Sequence, residues 1–267
     1  MAKETILDLA SSKTWKKRVG RIIDVILPVD VQKLIRQREP EGLYDDTFDY
    51  VLESFQETGE YIDFEEINAR FVNAFAKVFT HWRGYHSCRP SSLGGYQKNG
   101  IVPLTREFFT NEALRLFKGH APEEKIRKAA ADSELKTREG YIYLFATPTS
   151  PLNRSCNHYL QSGSEALQGL AVKLGLHCRG ILAAQGKPII IQCKVPSKKV
   201  MPAYSECIYR CLVTRYFQHE MSDGKIGIEV EKSCFATGDP ILPENIERFI
   251  PIEQNKLIVD FHFGSPH

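Results

Sequence analysis

The sequence predicts an α+β fold in which a helical N-terminal region, residues 1–80, precedes an α+β half, residues 81–267, whose strands are concentrated late. Two changes of pattern carry this expectation. From Ala2 to about Ala76 apolar residues recur at spacings near three and four, with Ile22, Ile23, Val25 and Ile26, then Phe48, Val51, Leu52 and Phe55. After His81 short β-branched and aromatic runs replace them, each bounded by Gly, Pro, Asn or Asp.

Taken in order, Pro28 and Pro40 punctuate the first region, and Ile67, Phe71, Phe75 and Phe79 at i+4 intervals mark a further amphipathic helix over Phe64–Thr80. His81 at its end reads as a cation against the helix C-terminus. A turn and a short helix-like piece follow, closing at Asn99-Gly100-Ile101. Strands are expected over Tyr141–Thr147, Pro188–Val195, Ile226–Glu231 and Lys256–Phe263. Helices are expected after Pro122, over Ser162–Gly175 and over Tyr204–His219. There is no internal repeat or low-complexity segment.

With 267 residues, 42% of them hydrophobic and 25% charged, the chain has the composition of an ordinary globular protein able to bury one substantial core. No apolar run approaches the roughly 20 residues a membrane span requires, and the start lacks the apolar segment of a secretory signal, so a cytoplasmic protein without a membrane partner is expected. Seven cysteines, an odd number without a C-x-x-C pair, read as reduced thiols. Cys207 and Cys211 share a helix spacing, but no second cluster completes a metal site, so no metal is expected. A net charge of +2 does not by itself favour nucleic acid. Lys13, Lys16, Lys17, Arg18 and Arg21 cluster on the first helix and read as a solvated face. Rossmann, Walker, zinc and G-x-S-x-G signatures are missing.

The segment WRGYHSCRPSSLGGYQKNGIVPL, residues 82–104, is the most informative. With the strand around Tyr143 and with Glu244 in ILPENIERFIPI it offers a histidine, a tyrosine and a glutamate in that order. Cleaving the nicotinamide–ribose bond of NAD creates an oxocarbenium-like centre, the problem glycosidases solve with carboxylates. Such a site needs a flat apolar clamp for the ring, partners for ribose hydroxyls and an orienting carboxylate.

On these residues the chain resembles the histidine-tyrosine-glutamate branch of the ADP-ribosyltransferases, the branch containing diphtheria toxin and the poly(ADP-ribose) polymerases. The resemblance covers roughly residues 80 to 265. It places His86 at the end of the first core strand, ahead of a helix closing at Gly100-Ile101. It implies a split, mixed, mostly antiparallel sheet core, and NAD as co-substrate. His86 would bind the nicotinamide-side ribose, Tyr143 and Tyr159 would sandwich the ring with Ser155 nearby, Arg89 would meet the diphosphate, and Glu244, starting a late strand, would align ribose and acceptor. His86, Tyr143 and Glu244 are thus the catalytic candidates, and His86, Arg89, Tyr143, Ser155 and Tyr159 the cofactor-binding ones. Glu229, Glu231, Glu206 and Glu165 compete for the carboxylate.

The chain has Ser87-Cys88-Arg89-Pro90 where the family often has Gly-Thr or Ser-Thr, and a longer interval from Tyr143 to Tyr159 than the polymerases. This is closer to divergent bacterial toxins and phage-defence effectors. The implied activity is mono-ADP-ribosyl transfer to a protein or nucleic acid, with an antitoxin or inhibitor protein as a further partner. Two alternatives stand beside it. One is an RNA 2′-phosphotransferase or nucleic-acid-modifying enzyme, which needs a basic channel involving Arg89, Lys98 and Arg154. The other is a non-catalytic interaction protein on the same fold. Residue by residue there are plainer readings: a hydrogen-bonded structural His86, a core Tyr143, a turn at Ser155, and Glu244 in a first helical turn after Pro243.

Overall fold

The computed structural model describes residues 4–44, 48–153, 155–226 and 234–253, apart from the side chains of 178 and 179. The described residues contain helices and a six-stranded sheet. The chain divides into two compact units, 1–84 with 194–236 and 85–193 with 237–267. The expected boundary at residue 80 falls just before a strand, whereas the units divide within it.

The first unit opens with β1 (Ile6–Leu7) and continues through α1 (Ser12–Ile26), α2 (Val29–Ile35), α3 (Asp49–Glu57) and α4 (Phe64–Val78). The i+4 phenylalanines of α4 explain its packing: Ile67, Phe71 and Phe75 are buried, as is Phe79 just beyond it. Asp63 caps α4 by accepting from the Glu66 N–H at 2.7 Å. Their partner is α11 (Pro202–Met221), whose Tyr209 stacks on Phe75 with ring centroids 4.3 Å apart and stands edge-on to Trp82 at 5.4 Å. Two buried polar contacts join these helices: Tyr50 and Thr214 share a 3.0 Å hydrogen bond, and Gln218 donates to the Leu43 carbonyl. His81 differs from expectation. Phe79 is extended, α4 has already ended, and His81 begins β2 (His81–Cys88), paired in parallel with Ile6.

The remaining elements are α5 (Gly94–Asn99), α6 (Arg106–Phe117), α7 (Glu123–Ala131), β3 (Ile142–Phe145), α8 (His158–Ser162), α9 (Glu165–Lys173), α10 (Cys178–Ala183), β4 (Ile189–Pro196), β5 (Cys234–Thr237) and β6 (Ile246–Pro251). The strand order is β5-β3-β2-β4-β6, with β1 beside β2. Tyr85 pairs antiparallel with Phe145, and β4 pairs antiparallel with β6 from Ile189↔Pro251 to Cys193↔Ile246. Among the described residues these strands form a mixed, mostly antiparallel sheet. The expected strand over Lys256–Phe263, and nearly all of the one over Ile226–Glu231, lie outside the described residues. No helix among the described residues is long and apolar enough to cross a membrane.

Two apolar clusters hold the second unit. Phe109, Leu116, Phe117, Ile126, Leu170 and Leu182 unite α6, α7, α9 and α10. Tyr85, Leu160 and Ile190, joined by Phe145 and Ile250, seat α8 on the sheet. Gly100 adds a backbone constraint. Its φ is +74°, and a Cβ there would stand 1.9 Å from the Ile241 carbonyl oxygen. Ile101 and Ile241 exchange both backbone hydrogen bonds at 2.9 Å, so only glycine permits this approach. Gly100→Ala is expected to destabilise the protein by about 2 kcal/mol or more, a fall in Tm of roughly 4 to 8 °C measurable by thermal denaturation.

Candidate functional site

His86, Arg89, Tyr143, Ser155, Tyr159 and Glu244 all lie in the second unit. His86 sits in β2, and its Nδ1 is 3.2 Å from the backbone carbonyl of Tyr143 on β3. A carbonyl only accepts, so Nδ1 carries the proton and Nε2 keeps its lone pair. Burial lowers the His86 pKa, opposed by that hydrogen bond, which holds the ring neutral near pH 7.

Tyr143 is 38% exposed, its hydroxyl donates to the Thr137 carbonyl, and its ring stands edge-on to Tyr141 at 6.5 Å. The plainer reading of Tyr143 as core therefore does not describe it. Phe145, two residues along the strand and so on the same face, meets Tyr159 of α8 edge-on at 5.9 Å. Tyr159 also packs its ring on His158 at 4.2 Å and hydrogen-bonds with Arg138 and Glu165. The two tyrosines thus converge on consecutive residues, Thr137 and Arg138. Tyr143 and Tyr159 are linked through β3 and α8, whereas His86 joins them through the Tyr143 backbone carbonyl, its side chain alternating to the sheet face opposite Tyr85 and Phe145.

The carboxylate in this neighbourhood is Glu165. It pairs with Arg138 and accepts from His158 Nε2 at 2.7 Å. Burial alone would raise its pKa, but the Arg138 and His158 partners outweigh burial and leave it lowered. Burial and the Glu165 charge raise the Tyr159 pKa, keeping its hydroxyl protonated. Arg138 and Glu165 also edge an open depression of about 430 Å³, lined further by Leu135, Leu170 and Lys173. Arg138 and His158 were missed by the sequence reading. Their only signal is polarity, and positions 138, 158 and 165 acquire a relation only when α8 and α9 fold together around Gly163, whose φ is +72°.

Glu244 lies elsewhere in the unit, on the 3-10 turn Pro243–Asn245 that leads into β6. This satisfies both the late-strand placement and the first-turn placement. The turn packs against α5, and among the described residues the exposed Glu244 carboxylate makes no hydrogen bond or ion pair. Ser155 is exposed on the loop before α8, 3.6 Å from the Cys156 sulfur. Glu206 lies on α11 in the first unit, while Glu229, Glu231 and Arg154 fall outside the described residues.

Arg89 does something other than reach into solvent for a diphosphate. Nη1 donates to the Leu160 carbonyl at 2.8 Å, and Nη2 donates to those of Ala183 and Gly186 at 2.5 and 2.6 Å. Its Nε is buried without a partner among the described residues, and burial lowers its pKa. The guanidinium ties the end of β2 to α8 and to the turn after α10. Gly186 is needed there, since a Cβ would fall 2.1 Å from the Pro90 carbonyl oxygen. Beside it, burial pushes the Cys88 thiol up to about 12, partly offset by a hydrogen bond with Tyr96.

Arg89→Lys is expected to lower stability by about 2 kcal/mol or more, because an ammonium cannot serve three carbonyls in the geometry of a planar fork, and urea titration measures this. For Glu165, a lowered folded-state pKa means stability that is present above the unfolded value near 4.3 and lost as pH falls through the folded value. Melting profiles between about pH 2 and pH 6 should show an acid-dependent component that Glu165→Gln lacks. Comparison with protein-family models, with curated proteins and with solved structures finds no match for this chain.

Proposed function

We propose that the second unit is an NAD-dependent mono-ADP-ribosyltransferase domain of the histidine-tyrosine-glutamate kind, acting on a macromolecular acceptor as a bacterial toxin or phage-defence effector. The observation that carries this reading is the fixed tautomer of His86 on the Tyr143 carbonyl, with Tyr143 and Tyr159 converging on Thr137 and Arg138. The Nε2 lone pair of a neutral imidazole would accept from a ribose hydroxyl. Two tyrosines would offer flat faces to an aromatic amide, contributing roughly 0.5 to 1.5 kcal/mol beyond area burial.

NAD supplies an N-glycosidic bond whose leaving group is nicotinamide. In transfer, the acceptor nucleophile bonds to the ribose carbon as nicotinamide departs with the bonding electrons, and the acceptor's proton passes to a carboxylate. Glu244 is the carboxylate that the resemblance assigns to that role, and it stands exposed on a turn apart from the contacts of Tyr143 and Tyr159. Glu165 is held by Arg138 and His158 and suits the positioning of Tyr159 instead. The ring and ribose end of NAD fits the residues present. The diphosphate end does not fit Arg89, whose donors are already engaged by backbone carbonyls.

Incubation with NAD labelled in the adenylate phosphate, together with a lysate of bacterial cells, tests the reading. Label should become acid-insoluble with the wild-type protein, fall at least a hundredfold with His86→Ala and with Glu244→Ala, and leave the melting temperatures of both variants near wild type. NAD at about 100 times its dissociation constant should stabilise the fold by roughly 2.7 kcal/mol. Neither label transfer nor a thermal shift with NAD would remove the transferase reading, and full activity of Glu244→Ala would remove that residue from the mechanism.

A further inference from the structure

The basic cluster that reads from sequence as a solvated face lines a groove within the first unit. Lys13, Lys16, Lys17 and Arg21 of α1, with Gly20 and Tyr216 of α11, border an open volume of about 480 Å³. We propose that this groove binds the sugar-phosphate backbone of a single-stranded nucleic acid, a proposal independent of the transferase reading.

Four features of the groove argue for it. Lys13, Lys17 and Arg21 stand four residues apart, a step of about 6 Å along a helix, so their charges repeat along one line as phosphates do along an extended strand. All three are exposed, and no acidic residue occurs from Leu9 to Ile23 in a chain whose net charge is only +2. Beside the cations Gly20 lets the Tyr216 ring close against α1, since a Cβ there would stand 2.7 Å from the Tyr216 hydroxyl, and this gives the strip an aromatic border. The N-terminal end of α1, where Lys13 sits, has no side-chain cap and no acid in its first turn, so the positive helix pole adds to the field.

Lys16 is already paired with Glu220 at 2.8 Å, and Asp24 edges the far end, which leaves Lys13, Lys17 and Arg21 as the strip without an ion pair among the described residues. Arg18 is turned away, donating to the Thr14 carbonyl. The cations border an open depression together with Tyr216, whose ring can meet a base while the charges meet the backbone phosphates, an arrangement that suits a single strand. Three neutralised phosphates release counterions, so affinity should fall with salt with a logarithmic slope of about −2.

The test is fluorescence anisotropy of the full chain with a labelled oligouridylate of about 12 nucleotides, without NAD, from 25 to 200 mM salt. The wild type should bind with the slope given above. Lys17→Gln/Arg21→Gln should weaken binding at least tenfold at low salt and flatten the slope by about 1.4, whereas Lys33→Gln on α2 should change neither. These positions are exposed on a helix, and circular dichroism melts confirm that the double variant folds. Binding unchanged in the double variant overturns the proposal. So does an absence of oligonucleotide binding alongside capture by phosphatidylserine vesicles, which would assign the strip to a membrane surface.

Discussion

The Arg89 guanidinium is the constraint on which the second unit depends. One planar cation at the end of β2 takes the carbonyls of Leu160, Ala183 and Gly186 at once. Those carbonyls close the C-terminal turns of α8 and α10, where backbone acceptors lack helical partners. A charged donor meets that need more strongly than a neutral one. Because Tyr159 precedes Leu160 and His86 lies three residues before Arg89, the same contact fixes the second tyrosine relative to the imidazole. The residue expected to meet a ligand instead builds the wall beside the site.

A second constraint acts on backbone alone. Gly100 lets the chain after α5 approach Ile241 so closely that no side chain fits between them, and the mutual hydrogen bonds of Ile101 and Ile241 then seat the turn carrying Glu244. The Gly-Ile pair noticed in the sequence thus has a mechanical role. It anchors a late segment of the chain next to an early one, about 140 residues away along the sequence.

The polar cluster of Arg138, His158, Tyr159 and Glu165 divides two jobs between two carboxylates. Glu165 has its charge matched by an arginine and a histidine, and its lowered pKa reports that match. Glu244 stands exposed on its turn. The first arrangement favours rigidity, and the second leaves a carboxylate open to solvent. The first unit shows the same logic with opposite charge. Cations gather on α1 beside a glycine that lets the Tyr216 ring close against the helix, while the aromatic contacts of Phe75, Tyr209 and Trp82 hold its partner helix in place.

Periodicity alone determined the helices of the first 80 residues, because the i+4 phenylalanines have a single way to be buried together. It also located β3, β4, α9 and α11, whose runs are long or well punctuated. It missed β5 and β6 because they are short or partly exposed, so their residues do not alternate cleanly. His86, Tyr143 and Tyr159 were singled out from chemistry and order, and the fold links them through the Tyr143 carbonyl and the Phe145 ring. Glu165's partners, Arg89's role and the groove beside Tyr216 were not legible in the sequence, because each depends on residues brought together from separate elements. Side-chain identity settles what a group can donate or accept, and only the tertiary fold decides which partners reach it first.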